Sequence, residues 1–174
     1  MAQEARLRFV VLAPWLGTLA RLVLAGVFFA AGASKVTDLA GSGRAVNAYQ
    51  LMPFEMAKIV GAALPFMELT LALFLLAGLA TRAVAALGAA LLLGYIGGIA
   101  SVWARGLSID CGCFGTGGAL PAGVHPSYLG DLLRDVALLL VAVFLAWRPR
   151  TRLGLDAVLL GEPPQASRNR SKEM

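Results

Sequence analysis

The chain has 174 residues, 59% of them hydrophobic and 14% charged, with a mean hydropathy of +0.76. Soluble domains run at about 45–50% apolar and about 25% charged, so this composition excludes an ordinary water-soluble domain and points to an integral membrane protein. The net charge of +5 is no sign of nucleic-acid binding. The basic residues gather at chain ends and loops, where they orient the chain and meet lipid headgroups.

In chain order, residues 1–8 are polar and resemble the front of a signal peptide. The apolar run behind them is long and carries Arg21, which argues against cleavage. Four runs match the ~20 residues a membrane helix needs: 14–33, 59–80, 83–104 and 129–147. The predicted fold is therefore all-α, a four-helix integral membrane bundle over residues 14–147. A short N-terminal segment (1–13) precedes it and a basic tail (148–174) follows. The second and third runs are joined at Thr81-Arg82 and predict an antiparallel hairpin. Loop 34–58 contains Gly41-Ser42-Gly43, read as a flexible break, and a short interfacial helix over 47–52 that stops before Pro53. The tail from Gly161 onward is polar, carries Pro163-Pro164 and is expected to be disordered.

Basic residues near the span ends split unevenly. Arg6, Arg8, Arg82, Arg148, Arg150, Arg152, Arg168, Arg170 and Lys172 fall on one side. Lys35, Arg44, Lys58, Arg105 and Arg134 fall on the other. The richer side is cytoplasmic by the positive-inside rule, so both termini are expected inside and the cysteine loop outside.

That loop holds the only two cysteines, Cys111 and Cys113, separated by Gly112. Cα atoms two residues apart lie about 5.5–7 Å from each other, at the edge of disulfide reach. Gly112 permits the backbone angles so small a ring needs. A strained, exposed disulfide is more oxidising than a structural one, which suits exchange with a partner thiol. Two other readings stay open: a staple that only fixes the loop, or a soft-metal site for copper or zinc completed by His125 or Asp110. His125 is the single histidine and is a candidate base for a cysteine thiol, although a histidine before proline is commonly a solvated turn residue. Phe114-Gly115-Thr116-Gly117-Gly118 is a turn-rich segment able to fold the loop back over the bundle.

Arg21 and Glu68 fall inside apolar runs, where an ionisable group is costly and marks either function or a locked ion pair. By residue count both lie near mid-span, and they are expected to pair, as a proton path or as the wall of a quinone pocket. Pro65 loosens the helix just before Glu68. Asp131, Arg134 and Asp135 share one face of the last run, as an interfacial ion cluster or as a border of the cysteine site. Gly88, Gly94, Gly97 and Gly98 are read as packing positions.

Together Arg21, Gly32-Ala33-Ser34-Lys35, Leu64-Pro65, Glu68-Leu69, Gly78, Arg82 and Cys111-Gly112-Cys113-Phe114-Gly115 resemble the MauE branch of the DoxX-like membrane proteins, over about residues 19–147. The resemblance implies a four-helix membrane bundle and a link to methylamine utilisation. There, MauE is associated with disulfide formation in methylamine dehydrogenase beside a thioredoxin-like protein. DoxX relatives imply a link to quinone. The architecture is also similar to that of the DsbB and vitamin K epoxide reductase groups, which typically use two cysteine pairs where this chain has one. The implied activity is thiol–disulfide exchange at the outer face of the cytoplasmic membrane. Its partner would be an extracytoplasmic thioredoxin-like protein or a disulfide-containing client, and quinone is the candidate cofactor.

Overall fold

The computed structural model describes residues 2–112, 117–120, 126–147 and 155, with side chains from Trp15 onward except that of Ala119. The described chain is helical: α1 (Ala2–Lys35), α2 (Leu39–Ala48), α3 (Phe54–Ala77), α4 (Thr81–Ala104) and α5 (Tyr128–Trp147). One two-stranded antiparallel ribbon, β1 (Ile109–Asp110) with β2 (Gly118–Ala119), lies between α4 and α5 and pairs Ile109 with Ala119.

Among the described residues, three stretches are long and apolar enough to cross a membrane: Trp15–Lys35, Phe54–Ala77 and Thr81–Ala104. Their outer faces are apolar too. Leu19, Phe29, Phe66, Leu73, Leu87 and Leu93 are exposed, which is the pattern a lipid solvent requires. From Ala2 the expected N-terminal segment is continuous with the helix of the first span. The expected tail lies, apart from Leu155, outside the described residues.

The long helices pack pairwise, α1 along α3 and α4 along α5, with narrower α1–α5 and α3–α4 seams. The main core is built by Leu24, Phe28, Leu71, Leu75, Leu92 and Leu145 with small residues between them. A second, smaller cluster of Ile99, Val102, Ile109 and Tyr128 closes the end that carries the cysteine loop. Gly88 accepts the Phe28 ring and Gly98 the Tyr49 ring at about 3 Å from where a Cβ would sit, whereas Gly94 and Gly97 have open space there. Two of the four glycines read as packing positions thus pack.

The α3–α4 connection is Gly78–Ala80, not Thr81-Arg82, because Gly78 (φ 64) takes the left-handed conformation that ends α3. Its amide bonds the Leu75 carbonyl and the next amide bonds that of Phe74, which satisfies the last turn. Thr81 already begins α4.

The segment 41–43 is not a flexible break. It is the buried interior of α2, capped by Asp38, whose carboxylate accepts from the Gly41 amide at 2.7 Å. The cause lies in α3. Pro65 has no amide to offer the carbonyl four residues back, at Gly61. The Ser42 hydroxyl donates to that carbonyl at 2.7 Å instead. The approach needs two facing glycines, since a Cβ on Gly61 would sit 2.5 Å from the Gly43 Cα. The helix expected over 47–52 is displaced accordingly. α2 ends at Ala48, and Gln50 turns the chain with φ 53.

Candidate functional site

The end of the bundle that carries the cysteine loop is capped by hydrogen bonds from aromatic and basic side chains to backbone. Tyr128, at the start of α5, donates through its hydroxyl to the Leu107 carbonyl and accepts from the Ile109 amide at 2.9 Å. Its ring packs beside Trp103, with centroids 6.3 Å apart. The Tyr49 hydroxyl donates to the Cys111 carbonyl at 2.8 Å, and the Arg105 guanidinium donates to the Tyr49 carbonyl. The chain is thus pinned at both sides of β1. Cys111 is half-buried against this cap.

Gly112 follows with φ 67, and Asp110 accepts from its amide at 3.2 Å. A Cβ on Gly112 would lie 3.1 Å from the Gly117 Cα and 3.3 Å from the Ala45 Cβ, so the two ends of the 112–117 segment meet over α2. Only glycine combines that left-handed angle with so close an approach. Cys113 and His125 lie outside the described residues, as do residues 114–116 of the turn-rich segment. Among the described residues no group of three histidine, cysteine or carboxylate side chains converges as a metal site. An open groove of about 570 Å³ runs beside the ribbon, lined by Arg44, Asn47, Gln50, Ser108 and Gly118 among others.

One level deeper, between the two apolar clusters, is a charged layer. Glu68 (0% exposed) accepts from Lys35 Nζ at 2.9 and 3.1 Å and from the Tyr95 hydroxyl at 2.6 Å. Lys35 (6% exposed) also sits 5.7 Å from the centroid of the Tyr95 ring, within cation–π range. On α5, the Arg134 guanidinium bridges Asp131 at 3.3 Å and Asp135 at 3.0 Å. Asp135 is buried, and Lys35 is near enough to act on it electrostatically.

The expected Arg21–Glu68 pair does not form. Arg21 is buried but lies four turns before Lys35 on α1, about 21 Å of helix rise away. Gly32 abuts Pro65 and Leu69 across the antiparallel α1–α3 contact, so Arg21 is level with the far end of α3. Lys35, expected at the outer surface, is the actual partner. Tyr49, Tyr95 and Tyr128 carried no sequence signal beyond their type, for an aromatic in an apolar run reads as core. The one available clue was Lys35 itself, set directly behind an apolar run and 33 residues from Glu68.

Buried ions inside an apolar-faced helical body, under a cap of backbone-bonded tyrosines, define a multi-pass membrane protein with a polar interior. A family model described as methylamine utilisation protein MauE matches residues 13–148, and the chain belongs to that family. No curated protein and no solved structure is significantly similar to it.

Proposed function

We propose that the chain is the membrane component of a thiol–disulfide exchange system, with Cys111 and Cys113 as its redox pair. The observation that carries this reading is the mounting of Cys111. Its carbonyl is held by Tyr49, its neighbour Gly112 is fixed in a left-handed turn, and the residue stays partly accessible at the mouth of a helical body. Membership of a family linked to methylamine utilisation supports it.

In this reading α5 is the fourth span. It exposes Leu133, Leu140 and Phe144, while its charges stay within or at the rim of the ionic layer. Both termini lie in the cytoplasm and the cysteine cap faces outward across the cytoplasmic membrane. A thiolate of an extracytoplasmic thioredoxin-like partner attacks one sulfur of the Cys111–Cys113 disulfide, giving a mixed disulfide and one freed thiolate. The partner's second thiolate then resolves the mixed bond. The partner is oxidised to its disulfide and this pair is reduced to the dithiol. A quinone, if bound, would supply the two-electron, two-proton acceptor that returns the dithiol to the disulfide; of the two residues expected to wall its pocket, Glu68 is instead engaged by Lys35 and Tyr95. The partner's client would be a disulfide-containing protein such as methylamine dehydrogenase. The groove beside the ribbon gives room for a segment of the partner.

The test is to replace Cys111 or Cys113 by serine in intact cells and look for a trapped mixed disulfide by mass spectrometry. The expected result is capture of one thioredoxin-fold protein by one of the two variants, with the helical body still folded. A pair that traps nothing and binds copper or zinc stoichiometrically instead would assign the loop to metal handling. A pair that stays oxidised under strong reductant would make it a staple.

A further inference from the structure

The charged layer takes part in no step of the exchange reaction, and its charges do not balance. Its ionisable groups are Lys35 from α1, Glu68 from α3, Tyr95 from α4, and Asp131, Arg134 and Asp135 from α5. With the acids and bases ionised, two cations meet three carboxylates among the described residues, leaving one negative charge in excess. Three of these groups are almost fully withdrawn from solvent: Glu68 at 0%, Asp135 at 2% and Lys35 at 6% exposure.

Hydrogen bonding locates the misfit. Both Glu68 oxygens are engaged by Lys35, and one also by Tyr95. Asp135 Oδ1 takes the contacts with Arg134. Asp135 Oδ2 is buried and has no hydrogen-bond partner among the described residues. Arg134 compensates the carboxylate only through Oδ1, so the buried, unbonded Oδ2 still penalises the ionised form relative to the neutral acid. In a low-dielectric interior an uncompensated charge is commonly removed by taking up a proton.

We infer that this layer is a proton-binding site, holding one exchangeable proton on Asp135 inside the bundle. Asp131 and Arg134, at 17% and 32% side-chain exposure, form the rim through which the proton reaches the surface. The layer lies directly under the cysteine cap. Tyr95 is one turn from Gly98, Gly98 seats the Tyr49 ring, and Tyr49 holds the Cys111 carbonyl. The inference stands on charge balance and burial alone, so it survives if the cysteine chemistry is assigned otherwise.

The experiment is infrared spectroscopy of the full chain in lipid nanodiscs at neutral pH, in H2O and in D2O. The expected result is the carbonyl stretch of one protonated carboxylic acid, shifted by D2O, lost in Asp135→Asn and retained in Glu55→Gln, an exposed carboxylate outside the layer. Asp135→Asn mimics the neutral acid and is expected to fold with an unchanged melting temperature. If it does not fold, Asp135→Glu is expected to move the band. The absence of such a band overturns the inference, as does a band unaffected by substitution at Asp135. Loss of the band on adding sodium, with a matching rise in thermal stability, also overturns it by assigning the site to a monovalent cation.

Discussion

The cysteine cap and the charged layer beneath it are both polar, yet they are held in opposite ways. The layer joins α1, α3 and α4 through buried charges whose partners are other side chains. Removing one member strands its partner in a medium that cannot solvate it. The cap is held by neutral or rim side chains bonded to backbone, at the edge of water. Removing one of those bonds lets solvent take its place. The floor is therefore intolerant of single substitutions, and the lid above it is compliant.

The contrast is broken most severely at Glu68. Glu68→Ala leaves the Lys35 ammonium buried beside Tyr95, and the expected cost is about 3–5 kcal/mol, read as a large fall in melting temperature in detergent. The double variant Lys35→Met with Glu68→Met removes both charges and is expected to recover most of that loss. A single variant as stable as the wild type would show that the layer is not what joins these helices.

Next in size is the α2–α3 seam, which separates packing from charge. Ser42→Ala leaves the Gly61 carbonyl without its donor, at an expected ~1–3 kcal/mol, measured by thermal unfolding. Gly61→Ala forces a methyl toward the Gly43 backbone, where overpacking costs about 1–3 kcal/mol. Because Pro65 created the need for Ser42, restoring an amide with Pro65→Ala is expected to soften the Ser42→Ala penalty. Additive effects would mean that the two residues act separately.

Smaller still is the effect of loosening the lid. Tyr49→Phe removes one hydrogen bond to the Cys111 carbonyl, worth about 0.5–1.5 kcal/mol. Cys111 alkylation is then expected to speed up roughly two- to tenfold with only a small fall in melting temperature. Unchanged alkylation would mean that the Tyr49 hydroxyl does not restrain the loop. The smallest change is expected at the exposed Lys58–Glu55 pair. Glu55→Gln should shift stability by less than about 1 kcal/mol and serves as the baseline for the rest.

What could be read ahead of the structure follows from which forces are local. The apolar runs announced α1, α3 and α4, since a span is defined by its own composition. α5 was visible as a helix, although three charges near its start set it apart from the three stretches long and apolar enough to cross a membrane. Gly112 was read as permitting unusual backbone angles and does take one, with φ 67, while the disulfide ring invoked for it involves Cys113, outside the described residues. The buried position of Glu68 was visible from its own segment: a carboxylate in an apolar run has nowhere to hide.

Its partner was not visible. Counting residues placed Arg21 and Glu68 at similar depth, but depth depends on where each helix starts. α3 begins at Phe54, earlier than the apolar run suggested, and α1 continues to Lys35. Those boundaries move Lys35, not Arg21, onto the level of Glu68. The same limit hid α2. A Gly-Ser-Gly triplet favours flexibility by itself, and only the carbonyl freed by Pro65, supplied by a different helix, makes it a docking surface. Sequence alone therefore determined that this chain enters a membrane, where its long helices run and which residues are chemically unusual. The tertiary structure decided which of those residues meet, because register between helices is a property of pairs of surfaces that no single segment contains.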